Sequence, residues 1–345
     1  MPDPHRQLRF ALGRYTLDER IGLGGMAEVF RASSPDHDGP IVVKRLRYDR
    51  AADESMNSMF IDEARLAVGL HHPNIVRVYE LGQGEDGALY MAMEYVEGLD
   101  LKQLLRAAQE CGMRLPVWFS IWLVAEVLGA LEYVHGLTTP DRQPRRVIHR
   151  DISPENILVS LEGQIKLLDF GVAKYDRRMT RTAEGRIKGK LCYMSPEQIR
   201  NRAIDERTDV FATGAVLWEC LTQRRLFRGD SPFDVLQRIC AGVRPPPSTL
   251  RGDVPVALDA CVLAALEADA NERTPTARAF RQEILRILGR IHGPVAHDDI
   301  TALIHELGEA HQRNASLSSV GTGAEDSDFL IHTGSTTQVM VPDFE

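Results

Sequence analysis

Short apolar runs rich in β-branched residues dominate the first part of the chain. Glycine and aspartate residues separate these runs. Runs of this length, bounded by turn-forming residues, are typical of β-strands. We predict antiparallel strands over residues 15–21, 27–32, 41–46, 76–81 and 89–95.

A single helix interrupts this series of strands. Apolar residues, among them Met59, Ala64 and Ala67, recur there at helical spacing. The pattern stops before His72-Pro73, and the residue that precedes a proline is disfavoured in a helix. The predicted helix covers residues 55–70.

The pattern changes after Gly98 to long stretches of helical periodicity. We predict helices over residues 101–109, 117–135, 205–222, 232–240, 256–267 and 276–288. The fold class is therefore α+β. It has two lobes, a small N-lobe with an antiparallel sheet and one helix, and a larger, mainly helical C-lobe.

These patterns also give the predicted boundaries. An N-terminal extension covers residues 1–14, the N-lobe 15–96 and the C-lobe 97–289. The remainder, 290–345, contains one short amphipathic candidate at 300–307, followed by a segment rich in Ser, Thr, Gly and Asp. Because this acidic segment has little apolar surface to bury, we expect it to be largely disordered.

Composition narrows the class of protein. The chain has 345 residues, of which 43% are hydrophobic and 26% charged, and this excludes a chain that is disordered throughout, a collagen and a disulfide miniprotein. The five cysteines lie singly, so neither a disulfide framework nor a zinc site is indicated. The longest apolar run, 118–134, contains two glutamates and is shorter than the ~20 residues of a membrane helix. With no apolar signal stretch at the start, we expect a cytoplasmic protein without a membrane segment.

The net charge of −8 is unevenly distributed. From Ile291 onward there are nine acidic residues and one basic residue, Arg313, so the rest of the chain is neutral. Binding to nucleic acid requires a basic face. We therefore expect no nucleic-acid partner.

A glycine-rich segment at 21–29 lies between two predicted strands, where backbone amides can approach phosphates. Taken alone, such a segment is more often an ordinary turn. Lys44 in the next strand and Glu63 on the helix could form a pair that fixes the ammonium group against phosphates. Each of the two, taken singly, is more often a solvated surface charge.

Two carboxylates and an amide fall in two consecutive turns further along the chain. Asp151 and Asn156 lie in the sequence His-Arg-Asp-Ile-Ser-Pro-Glu-Asn, and Asp169 lies in Asp-Phe-Gly. Phosphoryl transfer needs a carboxylate to orient the attacking hydroxyl and oxygen ligands to hold Mg²⁺. Asp151 suits the first role, and Asn156 and Asp169 suit the second.

These motifs resemble the protein kinase family, in particular the bacterial Ser/Thr protein kinases of the eukaryotic-like (Hanks) type. The resemblance covers about residues 15–287, and the motifs occur in family order, ending with Ser195-Pro196-Glu197. It implies a kinase domain at 15–289 that binds ATP with Mg²⁺, or Mn²⁺ in its place. It also implies protein substrates with Ser or Thr acceptors and a homodimer for autophosphorylation in trans.

The resemblance also assigns residue roles. Met93 would be the gatekeeper before a hinge at 94–96, and Leu158 would lie under the adenine. The implied nucleotide-binding residues are Ile21, Gly22, Gly24, Gly25, Val29, Val42, Lys44, Glu63, Met93, Glu94, Val96 and Leu158. The implied structural and regulatory residues are His149, Arg150, Phe170, Gly171, Glu197, Asp209 and Arg273. From spacing we expect activation by phosphorylation of Thr180 or Thr182, which are flanked by arginines in the activation segment between Asp169 and Glu197.

The chain departs from the family pattern at four positions. Ala27 replaces the third glycine of the loop, and Val42 replaces a small alanine, which narrows the adenine pocket. Ser153 stands where Ser/Thr kinases have a catalytic lysine, and Lys190 stands where they have a threonine that contacts it. One interpretation is that a hydroxyl and an ammonium group have exchanged places, so that Ser153 and Lys190 both serve catalysis. Another is that Lys190 points to solvent.

Two rival functions follow from these departures. A nucleotide-binding pseudokinase that acts as a scaffold would explain the missing lysine at position 153. A kinase for small molecules would share the aspartates, but it should lack Ser195-Pro196-Glu197 and the helix that carries Asp209.

Overall fold

The computed structural model describes residues 10–48, 53–139, 141–170 and 191–318. The described residues form a sheet-rich N-lobe and a helical C-lobe, so the predicted α+β fold with two lobes is confirmed. The strands are β1 (Phe10–Leu12), β2 (Tyr15–Leu23), β3 (Ala27–Ser33), β4 (Ile41–Leu46), β5 (Val78–Gln83), β6 (Leu89–Glu94), β7 (Gly98–Asp100), β8 (Ile157–Ser160) and β9 (Ile165–Leu167). The helices are α1 (Glu54–Val68), α2 (Leu101–Glu110), α3 (Val117–His135), α4 (Pro196–Ile199), α5 (Arg207–Thr222), α6 (Pro232–Cys240), α7 (Val256–Ala265), α8 (Ala277–Ile291) and α9 (His297–Ser318).

The N-lobe is an antiparallel sheet of six strands in the order β1-β2-β3-β4-β6-β5. Helix α1 begins at Asp53, whose side chain accepts hydrogen bonds from the backbone amides of Ser55 and Met56. Its apolar face, with Phe60 and Ala64 fully buried, packs against β5 and β6. This packing fixes the position of Glu63, which lies on the same buried face.

Part of the predicted N-terminal extension belongs to the sheet. Residues 10–12 form β1, which pairs with β2 through a tight turn at Gly13, where φ is +59°. The side chain of Leu12 is buried in the cluster formed by Tyr15, Leu17 and their neighbours. The apolar run at 10–12 is too short for periodicity to detect, and the pairing with β2 stabilises it as a strand.

The C-lobe is built around α3 and α5. Both helices have apolar residues on all sides. Helix α3 packs against α8 and α5, and α5 packs also against α7 and α8. By length and hydropathy α3 could span a membrane, but 61% of that apolar window is buried inside the lobe. Strands β7, β8 and β9 form a small sheet beside the hinge between the lobes.

The segment after residue 289 is more ordered than its composition predicts. The short candidate at 300–307 is the middle of α9, which packs along α2. Ile300, Ile304 and Leu307 belong to the main C-lobe core, so the expectation of a largely disordered segment was wrong for residues 297–318. These three residues stand at positions i, i+4 and i+7, so they form one apolar face of a helix although polar residues separate them in the sequence. One such face is enough for the helix to pack against the lobe.

A buried ion pair ties α4 to the loop before α8. Arg273 donates two hydrogen bonds to Glu197, at 2.7 and 2.9 Å, and Thr208 donates a third to the same carboxylate. Burial would raise the pKa of Glu197, but the bonds from Arg273 outweigh it and hold this pKa below its ordinary value. Arg273 is 3% exposed, and its guanidinium group also donates to two backbone carbonyls. The Ser195-Pro196-Glu197 motif is thus anchored to the helical lobe.

We expect Arg273→Met to lower the free energy of unfolding by about 3–5 kcal/mol, because it leaves the Glu197 carboxylate buried without its cation. Arg278→Met is the matched control. Arg278 is 68% exposed and pairs with Glu132 on the surface, so its loss should cost about 1 kcal/mol or less. Urea denaturation of the three proteins at neutral pH measures both changes.

The same comparison has a pH dependence. Because the pKa of Glu197 is depressed in the folded state, the stabilisation from the pair is complete above the ordinary glutamate pKa of 4.5 and is lost as the pH falls below it. The difference between wild type and Arg273→Met should therefore shrink on acidification. Equal stability of the two proteins at neutral pH would contradict the assigned role.

Candidate active site

A cleft between the lobes brings the two groups of motif residues together. The glycine-rich segment is the hairpin between β2 and β3, closed by a hydrogen bond from the Gly24 amide to the Ala27 carbonyl at 2.8 Å. A Cβ atom at Gly24 would lie 3.1 Å from that carbonyl oxygen, whereas one at Gly25 would meet nothing within 4 Å. A side chain at position 24 would therefore crowd the hairpin, whereas one at position 25 would have open space around its Cβ atom.

Lys44 connects the N-lobe to the Asp-Phe-Gly turn. Its ammonium group lies 2.7 Å from Glu63 Oε1 on α1 and 2.8 Å from Asp169 Oδ1. Burial would lower the pKa of Lys44, but the two carboxylates raise it above its ordinary value. The ammonium group is therefore permanently charged and is held by one residue from each lobe.

A carboxylate on α5 holds the loop at residues 149–156, which we call the catalytic loop. Asp209 is fully buried and accepts hydrogen bonds from the backbone amides of His149 and Arg150, both at 2.8 Å. The ring of His135 contacts the same carboxylate at 2.8 Å. Burial would raise the pKa of Asp209, but these hydrogen bonds lower it, so the group stays ionised inside the lobe.

Hydrogen bonds also join the catalytic loop to the Asp-Phe-Gly turn. The His149 ring lies 2.8 Å from the Leu168 carbonyl through Nε2, and the Leu168 amide donates to the Asn156 carbonyl at 2.9 Å. Phe170 is buried, with its ring centroid 4.7 Å from that of His149. Burial lowers the pKa of His149, which keeps the ring neutral.

Asp151 and Asn156 contact each other directly. The Asn156 amide nitrogen donates to the backbone carbonyl of Asp151 at 2.6 Å and to its carboxylate at 3.0 Å. The amide oxygen is therefore the atom of Asn156 that can serve a cation. The carboxylate of Asp151 is held at the mouth of the loop, beside the candidate metal ligands.

The side chains expected around the adenine form one hydrophobic cluster. Met93 and Leu158 are buried in it, and Val42 and Val96 are partly buried against it. Val42 pairs with Met93 across β4 and β6. Ile21 is buried and Val29 is half-buried on the glycine-rich hairpin, where Val29 pairs with Gly22. An apolar slot flanked by the backbone at 94–96 can hold a flat aromatic base.

Sequence analysis missed the polar contacts that brace this hinge. The Lys166 ammonium group lies 2.8 Å from Glu94 Oε1, and the Arg77 amide donates to the same carboxylate oxygen at 2.8 Å. Lys166 is 8% exposed and lies on β9, three residues before Asp169. Its position in a buried strand is the signal that could have identified it, because lysines are rarely buried without a partner.

Two further residues link α2 to the site. Asp100 caps α2 and exchanges hydrogen bonds with Gln103, and burial raises the pKa of Asp100 to about 7. The Lys102 ammonium group lies 3.0 Å from Glu155 Oε1 in the catalytic loop. Asp100 followed by Gln103 three residues later is a capping pattern that the sequence shows at the start of a helix. The burial of Asp100 depends on tertiary packing and cannot be read from the sequence.

Ser153 lies in the catalytic loop between Asp151 and Asn156. The residue is 2% exposed, and its hydroxyl oxygen has no hydrogen-bond partner among the described residues. Buried hydroxyls are normally paired. Gly171, Thr180, Thr182 and Lys190 lie outside the described residues.

The donor set fits a nucleotide with a divalent cation. Asn156 and Asp169 supply oxygen atoms, which Mg²⁺ and Mn²⁺ both accept. Within the described ranges, no group of three or more His, Cys, Asp or Glu side chains could hold a metal alone. A cation between Asn156 and Asp169 would therefore need phosphate oxygens to complete its coordination, as expected for a metal that enters with a nucleotide.

Comparison with known proteins agrees with this geometry. Residues 15–283 match the family model for the protein kinase domain. Over 271 residues the chain is 40% identical to the tyrosine-protein kinase MasK of Myxococcus xanthus, covering 78% of this chain and 42% of that protein. It is 36% identical to the serine/threonine-protein kinase PknB of Mycobacterium tuberculosis, covering 79% and 43%. The chain spans less than half the length of each of these curated relatives.

A solved structure shows the same fold. The kinase domain of PknI from Mycobacterium tuberculosis matches with a TM-score of 0.61 at 27% identity, over 80% of this chain and 97% of that one. The family match covers more than half of the chain and contains the Lys44, Asp151, Asn156 and Asp169 positions. This chain belongs to the protein kinase family.

Proposed function

We propose that this chain is an active protein kinase that transfers the γ-phosphate of ATP to serine or threonine hydroxyls of proteins. The observation that carries the proposal is the position of Lys44, which bridges Glu63 on α1 and Asp169 at the start of the activation segment. This arrangement places one fixed positive charge beside a metal-binding carboxylate, as phosphoryl transfer requires.

Each side chain has a distinct role in this reaction. The Lys44 ammonium group holds the phosphates in position, and Glu63 fixes that ammonium group. Asn156 and Asp169 would hold Mg²⁺ or Mn²⁺, which supplies positive charge to the phosphate oxygens. The Asp151 carboxylate orients the acceptor hydroxyl and takes its proton. The bond from this hydroxyl oxygen to the γ-phosphorus forms as the bond from that phosphorus to the β,γ-bridging oxygen breaks, and ADP leaves.

The rival function, a pseudokinase scaffold, rests on Ser153. Without a lysine at this position, the charge that develops on the transferred phosphoryl group lacks one stabilising cation. The contact between Asn156 and Asp151 argues for catalysis, because it holds the carboxylate that would take the acceptor's proton, which nucleotide binding alone does not need.

Incubation of the purified protein with ATP and Mg²⁺, with and without a general protein acceptor, tests the function directly. We expect ADP production that rises with the acceptor, stops on chelation of the metal, and yields phosphoserine or phosphothreonine on hydrolysis of the product. Phosphotyrosine as the sole product would overturn the proposed Ser/Thr acceptor class. This outcome is tested because the relative MasK is named a tyrosine-protein kinase. Nucleotide binding without any transfer would favour the pseudokinase.

Substitution of the central residues gives a sharper test. Lys44→Met and Asp169→Asn should each lower turnover on the order of 10²-fold or more, since both act on charge at the phosphates. Asp151→Asn should lower turnover strongly with little change in ATP affinity, because it contacts the acceptor. Asp38→Asn, at an exposed position in the turn between β3 and β4, is the matched control and should be fully active. Near-normal turnover of Asp169→Asn would contradict the proposed chemistry.

We propose that Ser153 and Lys190 together replace the usual lysine and threonine. The buried Ser153 hydroxyl, unpaired among the described residues, supports this, while Lys190 enters from its place in the sequence alone. We expect Lys190→Ala and Ser153→Lys each to lower turnover, the first by loss of the cation on the order of 10²-fold and the second by like-charge repulsion.

The double change Ser153→Lys with Lys190→Thr should restore activity that neither single change retains. A double-mutant cycle on turnover measures this coupling. Strict additivity, or full activity of Lys190→Ala, would show that the two positions act independently and would support the interpretation that Lys190 is a solvated surface lysine.

We also propose that phosphorylation of Thr180 or Thr182 activates the enzyme. A phosphate carries roughly two negative charges and can gather Arg150 and the arginines around these threonines, which orders the segment. Phosphosite mapping of active protein should find at least one of the two modified. Full activity with both threonines unmodified would reject this role.

The setting of the reaction is proposed from the sequence. We propose a cytoplasmic catalytic domain whose partners are ATP and protein substrates, with a homodimer as the species that autophosphorylates in trans. The neutral charge of the lobes gives no basic face for nucleic acid.

A further inference from the structure

Helix α9 lies beyond residue 283, where the match to the protein kinase family model ends. Its apolar stripe is nevertheless buried, with Ile300, Ile304 and Leu307 exposed by 5%, 1% and 0%. These residues share one hydrophobic core with Leu101 and Leu104 of α2, along which α9 packs. The helix is therefore an added element that covers α2.

The N-terminal end of α9 touches a second element of the site. Gly163 forms the turn between β8 and β9 with φ of +77°. A Cβ atom there would lie 3.0 Å from Ile300 and 3.5 Å from Thr301. Glycine is required at this turn both for its backbone conformation and for the close approach of α9. Strand β8, which this turn ends, carries Leu158 of the adenine slot.

Helix α2 contacts the catalytic loop as well as α9. It packs against the 3₁₀ turn Pro154–Asn156, and Lys102 pairs with Glu155 in that turn at 3.0 Å. Its N-cap residue, Asp100, lies opposite Leu158 in the pairing of β7 with β8. The start of α2 is thus bonded to both the loop that holds Asn156 and the strand that holds Leu158.

We propose that α9 is a positioning element for the active site, which holds α2 against the catalytic loop and so fixes Asn156 for the metal. This inference rests on the proposed kinase function and extends it to a helix outside the matched family range. The contacts form a continuous path from the α9 stripe through α2 and the Lys102–Glu155 pair to Asn156.

This path of contacts predicts how changes in α9 affect the dependence of activity on metal concentration. If apolar side chains of the α9 stripe are shortened, α2 can shift, and the amide oxygen of Asn156 is no longer fixed where it would hold the cation. The affinity for the metal should then fall, and added metal should compensate. A helix that only stabilised the fold would change the melting temperature and leave the metal dependence unaltered.

The experiment compares Leu307→Ala with Glu306→Ala, its exposed neighbour on α9. Phosphoryl transfer is measured in full-length protein, well below the melting temperature of both variants, across a range of Mg²⁺ concentrations. We expect Leu307→Ala to raise the Mg²⁺ concentration for half-maximal activity by about threefold or more, with turnover recovered at high Mg²⁺. Glu306→Ala should match wild type. Unchanged Mg²⁺ dependence in folded Leu307→Ala would overturn the proposal.

A second variant tests the path without disturbing the core. Lys102→Met removes a half-exposed pair, so the fold should be retained even if Leu307→Ala is poorly folded. We expect it also to raise the Mg²⁺ requirement, and the double variant to show less than the sum of the two effects because both act through the position of α2. Independent, additive effects, or no effect of Lys102→Met, would contradict the path.

The same variants are also compared for Mg²⁺-dependent binding of a fluorescent ATP analogue. An inactive wild type would overturn the proposed kinase function, while the weaker Mg²⁺-dependent binding in Leu307→Ala would still support the positioning by α9. Active wild type with identical binding in all variants would overturn the positioning alone.

Discussion

The arrangement of the site depends on one buried carboxylate. Asp209 lies at 0% exposure in the centre of the C-lobe, and an unpaired charge there would be severely destabilising. Its oxygens are satisfied by the backbone amides of His149 and Arg150 and by the ring of His135. Because these amides must point at the carboxylate, the backbone of the catalytic loop has a fixed course, with φ of +68° at Arg150. Asp151 to Asn156 follow directly in the chain, so the anchored amides also restrict where these residues can lie.

A few polar contacts connect the catalytic loop, which Asp209 holds, to the N-lobe. The Leu168 backbone is bonded on one side to His149 and on the other to Asn156, so Asp169 follows directly from the anchored loop. Lys44 then bridges Asp169 and Glu63, and Lys166 bridges β9 and the hinge at Glu94. Each of the two lysines thus makes a contact between the lobes. Rotation of one lobe against the other would therefore separate charges that are largely screened from water.

The sequence predicted the strands, the main helices and the positions of the candidate catalytic residues because each leaves a local signal. The helix at 117–135 and the strand at 41–46 have the same limits in the structure, and Asp151, Asn156 and Asp169 fall in short motifs. Strand β1 and helix α9 gave weaker signals, since three residues are too few for periodicity and the α9 stripe is interrupted by charges. Contacts such as Lys166 with Glu94, and Lys102 with Glu155, join residues more than fifty positions apart, and no local pattern records them.

Amide hydrogen exchange of the catalytic loop, resolved to single residues, tests the dependence on Asp209 most directly. Amides bonded to a buried carboxylate exchange only when the surrounding lobe opens. If Asp209 fixes the catalytic loop, the amides of His149 and Arg150 exchange as slowly as those in the middle of α5. Exchange of these two amides at the rate of an exposed loop, while α5 stays protected, would contradict this role of Asp209.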